Sequence, residues 1–478
     1  MKILFAASEA APFLKSGGLG DVLEALPTEL AKNRAHEIAV VLPLYKKIKE
    51  NDAISLRFVT SFSLPSPLSE SYVGVYTLKR GRVTYYFIDN EYYFYRDGGP
   101  YGHGDDGARF FFFSKAILES LAHLDYYPDV IHANDWQTAA IPVLLKAFYS
   151  HIPAYRGVKT VFTIHNIEYQ GYMPAAFAKD AMGLPDGYLD VMMWDGGVNL
   201  MKSAIVLSDR ITTVSRTYAH EIKYAYFSHG LDPILRENEY KLSGIVNGIN
   251  TALYDPKRDP ALPVPFSSVS LDGKAACKAS LQEELGLPVR ADVPVIAMIT
   301  RLVSHKGMEL VERVLEDILA RDVQLVVLGT GDRVYEDMLR FAEYSHPDKM
   351  AAEIRFDSAL ASRIYAGADL FLMPSKSEPC GLSQLIAMRY GTIPIVRETG
   401  GLFDTVPALN VETLEGRGFT FKTFNAHDML DAIDRAVAFT KDEKRLAKHR
   451  RALIRYNSSW KASAEEYLAV YTDAVNLA

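Results

Sequence analysis

Short apolar runs alternate with amphipathic stretches twice along this chain, and that alternation restricts the fold more than any other feature. In the first half, the strand-like runs lie at 2–7, 36–43, 83–88, 130–133, 159–164 and 210–213. In the second half, they lie at 293–300, 323–328, 370–373 and 393–396. Strands that alternate with helices form parallel sheets covered by helices on both faces. The pattern therefore predicts an α/β protein with two doubly wound domains and a cleft between them.

A polar, proline-rich passage at 248–270 separates the two alternations. It follows Asn247 and includes the sequence PALPVP at 260–265. Such composition is typical of linkers. The boundaries that this predicts are an N-terminal domain at 1–250, a C-terminal domain at 251–455 and a last helical segment at 456–478.

Length and composition exclude several classes of protein. The 478 residues carry a formal net charge of −7, which gives no basis for binding nucleic acid or an anionic membrane. No apolar run approaches the ~20 residues that a membrane helix needs, and Ser8 and Glu9 end the first apolar run too early for a signal peptide. The only cysteines, Cys277 and Cys380, fit a reducing compartment. We therefore expect a cytoplasmic protein without nucleic-acid or membrane partners.

The turn that follows the predicted strand at 370–373 is the first candidate site. Residues 374–386 read PSKSEPCGLSQLI and pass from a strand through a polar turn into a helix. Open α/β sheets bind ligands at the carboxyl ends of their strands, and free amides at a helix start favour an anion. Glu378 precedes those amides, which belong to Gly381 to Ser383. Taken alone, the stretch fits a capped loop with a solvated glutamate better than a binding site.

Cations and glycines follow two other predicted strands. Arg301 and Lys306 come after the run at 293–300, and together they suit a diphosphate. The alternative is a pair of solvated surface charges. Gly17-Gly18 offers a second approach for a phosphate, because glycine lets backbone amides come close to an anion.

Polar residues also end two strands of the first half. His165-Asn166 follows the run at 159–164, and Asp135 follows the run at 130–133. Each could hold a sugar. However, a histidine at a strand end is as often hydrogen-bonded within the protein without a functional role as it is functional, and Asp135 could merely cap a helix. No dinucleotide fingerprint, Walker loop, nucleophile elbow, zinc spacing or D-x-D motif is present. We therefore predict no cofactor and no metal site.

Six motifs of the chain occur together in an order that resembles one enzyme family. They are Lys15-Ser-Gly-Gly18, Thr163-Ile-His-Asn166, Asn247-Gly248, Arg301 with Lys306, Glu378-Pro-Cys-Gly381 and Glu398-Thr-Gly-Gly401. Over essentially its whole length, the chain resembles the bacterial glycogen synthase and plant starch synthase family. The resemblance implies the GT-B architecture, in which two Rossmann-like domains face a cleft and a C-terminal helix crosses back to the N-terminal domain.

The same resemblance implies an activity. It is the transfer of glucose from ADP-glucose to the non-reducing end of glycogen or another α-1,4-glucan, with retention of configuration and without a metal. The N-terminal domain would bind the glucan acceptor and part of the glucose, and the C-terminal domain would bind the nucleotide sugar. Because no nucleophile is placed opposite the breaking bond, we favour attack by the acceptor from the face of the leaving group.

The resemblance also assigns roles to single residues. The catalytic residues that it implies are Lys15, His165, Arg301, Lys306 and Glu378. The residues that it implies for binding ADP-glucose are Lys15, Gly18, Asp135, Asn166, Asn247, Arg301, Lys306, Phe356, Glu378, Cys380, Gly381, Leu382 and Ser383. Two positions depart from common family patterns: Phe356 stands where relatives often carry a tyrosine that stacks on adenine, and Ser16 replaces a threonine. Many related transferases carry a second glutamate where this chain has Ile386.

Three alternative functions stay open at this point. A transferase that uses UDP-glucose and a nucleotide-sugar epimerase would share the architecture and the diphosphate site. An inactive glucan-binding scaffold would be expected to have lost charged residues such as Lys15, Arg301, Lys306 or Glu378, and all four are present.

Overall fold

The computed structural model describes residues 1–65, 70–180 and 182–477. The chain divides into two compact units. Unit 1 consists of Met1–Asn247 with Trp460–Ala478, and unit 2 consists of Gly248–Ser459. Each unit is built around a mainly parallel sheet. The predicted α/β class is therefore confirmed.

In its described part, unit 1 has a nine-stranded sheet and a small antiparallel sheet. The strands are β1 (Lys2–Ala6), β2 (Glu37–Pro43), β3 (Arg57–Pro65), β4 (Glu70–Arg80), β5 (Val83–Asp89), β6 (Val130–Asn134), β7 (Lys159–Ile164), β8 (Tyr172–Pro174), β9 (Met193–Trp194), β10 (Gly197–Asn199), β11 (Arg210–Thr213) and β12 (Leu242–Gly244). The large sheet has the order β12-β11-β7-β6-β1-β2-β5-β4-β3, and β8, β10 and β9 form the small one.

The helices of unit 1 lie mostly between consecutive parallel strands. Those before residue 248 are α1 (Gly18–Leu30), α2 (Lys46–Lys49), α3 (Glu91–Phe94), α4 (Asp106–His123), α5 (Ala140–Leu144), α6 (Ala175–Asp180), α7 (Asp186–Met192), α8 (Leu200–Leu207), α9 (Arg216–Glu221), α10 (Ala225–Ser228) and α11 (Asp232–Glu237). The phenylalanines of α4, at 110–113, are all buried in the core.

Unit 2 is a six-stranded parallel sheet with helices between its strands. The strands are β13 (Val295–Ile299), β14 (Gln324–Leu328), β15 (Met350–Glu353), β16 (Leu370–Met373), β17 (Ile393–Arg397) and β18 (Phe419–Phe421). The helices are α12 (Asp272–Glu284), α13 (Met308–Leu319), α14 (Arg333–Ser345), α15 (Ser358–Gly367), α16 (Ser383–Arg389), α17 (Gly400–Thr405), α18 (Ala426–Thr440) and α19 (Glu443–Arg455). The order β15-β14-β13-β16-β17-β18 is that of a Rossmann fold.

The last helix, α20 (Trp460–Val475), belongs to unit 1. Tyr471 on this helix is fully buried, and its hydroxyl lies 2.8 Å from Nδ1 of His132 on β6. Nε2 of His132 lies 2.5 Å from Oγ1 of Thr163 on β7, which in turn lies 2.5 Å from Oγ1 of Thr212 on β11. A buried chain of hydrogen bonds therefore joins α20 to three neighbouring strands. Within the ranges described, no helix is both long and apolar enough to cross a membrane.

We predict that Tyr471→Phe destabilises the protein by about 1–3 kcal/mol, because it leaves a buried nitrogen of His132 without its partner. Urea unfolding of the variant and the wild type measures this difference. Tyr126→Phe is the matched control, since Tyr126 is also buried in unit 1 but its hydroxyl has no hydrogen-bond partner among the described residues. Equal effects of the two substitutions would contradict a stabilising role for the hydrogen-bond chain.

Candidate active site

In each large sheet the order of the parallel strands reverses next to the first strand of the unit. In unit 1 the reversal lies between β1 and β6, and in unit 2 between β13 and β16. Open α/β sheets bind ligands outside the carboxyl ends of the strands at such topological switch points. The loops after β1 and β6 carry Lys15 and Asp135, and the loops after β13 and β16 carry Arg301, Lys306 and Glu378. The fold thus places the charged candidates of both units at switch points.

The loop that contains Lys15 is organised by a buried carboxylate, that of Glu9. Glu9 is 2% exposed and accepts hydrogen bonds from the Ser16 amide at 2.9 Å and the Ser16 hydroxyl at 2.5 Å. Its other oxygen accepts from the amides of Gly17 at 3.2 Å and Gly20 at 3.0 Å. Burial raises the pKa of Glu9, and these hydrogen bonds oppose the rise. The anion that the Gly17 amide approaches in this structure is therefore a side chain of the protein.

The Lys15 side chain is 38% exposed, and its ammonium pairs with Asp21 on the first turn of α1 at 2.7 Å. Gly18 is the first residue of that helix. Lys15 is therefore an accessible cation at the switch point of unit 1, with a carboxylate as its present partner.

Asp135 lies directly after β6 in an unusual backbone conformation, with a φ of 56°. Its Oδ1 accepts hydrogen bonds from the amides of His165 at 2.7 Å and Asn166 at 3.3 Å. Burial raises the pKa of Asp135 to about 7; these two hydrogen bonds oppose the rise, and the negative charge of Glu9 adds to it. The structure thus brings together three predicted residues, Asp135, His165 and Asn166, around one carboxylate that titrates near neutral pH.

The hydrogen bonds of Asn134 determine which ring nitrogen of His165 carries a proton. The Asn134 side-chain amide donates to the carbonyls of Ala6 at 3.2 Å and His132 at 2.9 Å, so its oxygen is the atom that faces Nε2 of His165 at 2.9 Å. Nε2 must therefore carry the proton of this contact. Burial lowers the pKa of His165 to about 3, so the ring is neutral near pH 7. Its Nδ1 is then an acceptor suited to a hydroxyl group.

In unit 2, Lys306 and Glu378 form an ion pair at the switch point. The Lys306 ammonium lies 2.7 Å from Oε2 of Glu378, which is 6% exposed and also accepts from the Ser375 hydroxyl at 3.0 Å. Gly307 has a φ of 83°, and a Cβ atom there would lie 2.2 Å from the carbonyl oxygen of Pro374. Only a glycine therefore lets the loop of Lys306 pack directly against the turn that carries Glu378.

Carbonyl groups of the turn 374–381 are held by three neighbouring residues. The Gly401 amide donates to the carbonyls of Glu378 at 3.0 Å and of Pro379 at 3.2 Å. The Gln384 amide donates to the carbonyls of residues 380 and 381 at 3.0 and 2.9 Å. The Arg397 guanidinium donates to the carbonyls of residues 375 and 376. These donors bind the carbonyl side of the turn, and among the residues that the structure describes no side chain caps the start of α16 at Ser383.

The other predicted residues of unit 2 differ in their exposure. Arg301 is exposed and lies 3.5 Å from Nε2 of His305. Phe356 is 87% exposed at the N-terminal side of α15, as a residue that stacks on a base would need to be. Cys380 is buried in the turn.

Asn247 is the last residue of unit 1 before Gly248. It is buried, and its side-chain oxygen lacks a hydrogen-bond partner within the described ranges. No group of three or more His, Cys, Asp or Glu side chains in that part of the chain could hold a metal ion.

Four residues that shape the site carry no role in the sequence analysis, namely Glu9, Asn134, Gln384 and Arg397. Glu9 has a signal that could have identified it, because it comes three residues after β1 and so lies at the ligand-binding edge. Asn134 ends β6 and has the same signal. Gln384 and Arg397 act on the backbone of the turn, and sequence spacing alone gives no sign of such contacts.

Known proteins resemble the chain along its whole length. The family model "Starch synthase catalytic domain" matches residues 2–237, and "Glycosyl transferases group 1" matches residues 285–456. A glycogen synthase of Exiguobacterium sibiricum is 46% identical over 477 residues, which cover 98% of each chain. One of Desulforamulus reducens is 47% identical over 473 residues, again 98% of each chain. The chain belongs to the glycogen and starch synthase family.

Solved structures agree with this membership. The catalytic domain of starch synthase IV from Arabidopsis thaliana, bound to ADP and acarbose, has a TM-score of 0.92 and 33% identity, with 99% of both chains covered. A sucrose-phosphate synthase from Thermosynechococcus elongatus has a TM-score of 0.62 at 17% identity, which shows the fold alone. The predicted GT-B fold class and the predicted glucosyltransferase class are confirmed. For this family member, the predicted role of each site residue stays a prediction.

We predict that the pKa of Asp135 makes stability depend on pH. In the unfolded chain the carboxyl titrates near 4, whereas burial raises its pKa in the folded protein to about 7. Folding therefore binds a proton in the window between these values, and stability falls as pH rises through it. Asp135→Asn removes this titration and retains Oδ1, which accepts both hydrogen bonds.

The measurement is urea unfolding of both proteins at pH 5 and pH 8. All other titrations are shared, so the stability of the wild type relative to Asp135→Asn should fall by about 2 kcal/mol between the two pH values. A relative stability that rises with pH would show that the folded-state pKa is depressed instead.

Proposed function

We propose that the chain is a glycogen synthase that transfers glucose from ADP-glucose to the non-reducing end of an α-1,4-glucan, with retention of configuration. The observation that carries the proposal is the convergence of the family's charged motifs on the topological switch points of both units. Lys306 and Glu378 do so in unit 2, and Lys15 and Asp135 in unit 1. The family membership supports the choice of a glucan as acceptor.

Unit 2 is proposed to bind the nucleotide diphosphate. Arg301 can grip phosphate oxygens with its planar fork, and Lys306 adds a point charge. The uncapped start of α16, with Gly381, Leu382 and Ser383, adds backbone amides. Phe356 offers an exposed ring for stacking on the base. Cys380 contributes packing to the turn.

Unit 1 is proposed to contact the glucosyl group and the acceptor glucan. The neutral His165 can accept a hydrogen bond from a sugar hydroxyl through Nδ1, and Asn166 offers its side-chain amide. Lys15 can approach the transferred group or a phosphate, as can Gly18. Asn247, whose buried side-chain oxygen has no partner in the described ranges, could accept a hydrogen bond from the ligand.

The chemistry follows from the charges that develop as the bond breaks. The glucosyl group gains positive character, which the ionised form of Asp135 stabilises, and negative charge develops on the departing diphosphate. Arg301 and Lys306 stabilise that leaving group as fixed cations. The acceptor hydroxyl attacks from the same face and passes its proton to a diphosphate oxygen, which accounts for retention of configuration. Glu378 orients glucose hydroxyls in this scheme.

The proposed compartment is the cytoplasm. The chain has only two cysteines, Cys277 and Cys380, and both are buried; such sparse use of cysteine suits a reducing environment.

The function is tested by incubating the purified protein with glycogen and either ADP-glucose or UDP-glucose. We expect labelled glucose to enter the polymer from ADP-glucose in preference to UDP-glucose, and β-amylase to release that label from the chain ends. Preference for UDP-glucose would contradict the proposed donor. An epimerised sugar without chain growth would identify the alternative epimerase activity, and glucan binding without turnover would identify a scaffold.

We predict that Lys306→Ala lowers kcat more than it raises KM for ADP-glucose. The lysine contacts the diphosphate before and during the reaction, but charge on the leaving oxygen grows only as the bond breaks. Loss of one such donor typically costs about 10²–10³ in kcat. Lys306→Arg keeps the charge but misplaces its donors, so it should be less damaging.

Steady-state kinetics with ADP-glucose check this prediction. The matched control is Lys441→Ala, an exposed lysine at the end of α18 in the same unit, which should leave both constants unchanged. Thermal unfolding must accompany the kinetics, because Lys306→Ala also leaves the buried Glu378 without its cation. A rise in KM alone would mean that Lys306 only binds the nucleotide.

A further inference from the structure

We propose that Glu9 is a positioning residue that fixes the direction of the Lys15 side chain for its contact with the donor. The inference rests on the proposed function, because it assumes that Lys15 contacts the nucleotide sugar. It deepens that function by separating the contribution of the Lys15 ammonium from that of the loop amides.

Four donors converge on the carboxylate of Glu9. It accepts hydrogen bonds from the amides of Ser16, Gly17 and Gly20 and from the Ser16 hydroxyl, at 2.5–3.2 Å. A carboxylate is purely an acceptor, so both of its oxygens suit such a surrounding. A glutamine would turn an NH₂ group toward backbone N–H groups in either orientation of its amide. The loop is therefore built for a charged acceptor of this shape.

Glu9 also binds the start of the helix that follows the loop. α1 begins at Gly18 with Gly17 as its N-cap, and a glycine has no side chain that could accept from the helix amides. Glu9 takes over this task from outside the helix, since it accepts from the amide of Gly20 in the first turn. Its negative charge also suits the positive end of the helix dipole. Glu9 thus fixes the loop and the start of α1 to the end of β1.

Lys15 is fixed both at its backbone, through the residue that follows it, and at its ammonium. The residue that follows it, Ser16, is bound to Glu9 through its amide and its hydroxyl. The Lys15 ammonium is bound to Asp21 at 2.7 Å. A Cβ atom at Gly20 would lie 3.0 Å from Cγ and 3.1 Å from Cβ of Lys15, so the lysine stem lies directly on that glycine. A shift of the loop away from Glu9 would redirect the ammonium.

One consequence distinguishes this arrangement from a phosphate-binding glycine loop. The amides of Ser16, Gly17 and Gly20 already donate to Glu9, and a donor phosphate would have to displace a buried carboxylate to reach them. We therefore infer that these three amides do not bind the donor, and that the charged contact of the loop with the donor is the Lys15 ammonium.

A double-mutant cycle with Glu9→Gln and Lys15→Met tests the inference, with kcat/KM for ADP-glucose as the readout. Glu9→Gln should lower kcat/KM by on the order of 10²-fold, the usual effect of a misplacement of about 1 Å. In the Lys15→Met background, the same substitution should lower it less than about twofold, because the ammonium that Glu9 directs is gone. A merely structural role would give the same factor in both backgrounds and would overturn the inference.

Asp209→Asn is the matched control. Asp209 is a carboxylate of unit 1 that also accepts an amide and a hydroxyl from one residue, those of Thr160 at 2.7 and 2.9 Å. It precedes β11 and so lies at the opposite end of the strands from the switch point. Its substitution should have an equal effect on kcat/KM with and without Lys15. Coupling of Asp209 to Lys15 as large as that of Glu9 would overturn the inference.

Hydrogen exchange of the full chain provides a readout independent of activity. The amides of Ser16, Gly17 and Gly20 should exchange at least about tenfold faster in Glu9→Gln than in the wild type, since they lose hydrogen bonds. Unchanged exchange would overturn the inference even if glucose transfer is established. Absence of any glucose transfer by the wild type would instead refute the proposed function, and with it the role of Lys15 on which the inference rests.

Discussion

Burial of the central strands on both faces is the constraint on which the rest of the structure depends. In β1 and β13 the side chains are almost entirely apolar and enclosed, so no charged group can lie along them without a large desolvation cost. Charged residues of the central strands can therefore lie only at strand ends, whereas neutral polar residues such as His132 lie within a strand only where they are hydrogen-bonded. The reversal of strand order next to β1 and β13 leaves space at the carboxyl ends for loops, which is where Lys15, Asp135 and Glu378 lie.

The two units stabilise a buried carboxylate at this edge by different means. Glu9 is surrounded by neutral donors of one loop, and burial raises its pKa despite four hydrogen bonds. Glu378 is paired with the Lys306 ammonium and accepts one hydroxyl. The first arrangement ties a loop to the sheet. The second places a cation and an anion together at a switch point, where a ligand with phosphate and hydroxyl groups could meet both.

The success of each prediction depends on the kind of sequence signal on which it rests. The strands β7 and β16 are predicted to the residue: β16 is a continuous apolar run, and in β7 the β-branched and aromatic residues give a strand-like pattern. The β3–β4 hairpin was missed, since most of β3 is exposed and gives no apolar run. The charged motifs are recognisable as a set, but in the sequence Glu9 is no more than the polar end of the first apolar run. The role of Glu9 depends on the path by which the loop brings Ser16 back to its carboxylate. The sequence does not show that path.

The ion pair in unit 2 explains why a lysine, and not an arginine, suits position 306. Removing one partner of a buried ion pair typically costs about 3–5 kcal/mol, because the other charge is left uncompensated. A diphosphate that pulled Lys306 away from Glu378 completely would have to offset such a cost. An ammonium has three N–H donors and can hold Glu378 with one of them while it turns the others to phosphate oxygens. A guanidinium carries its five N–H donors in one rigid plane, so once two of them engage the carboxylate the others point in fixed directions and cannot turn independently toward a ligand.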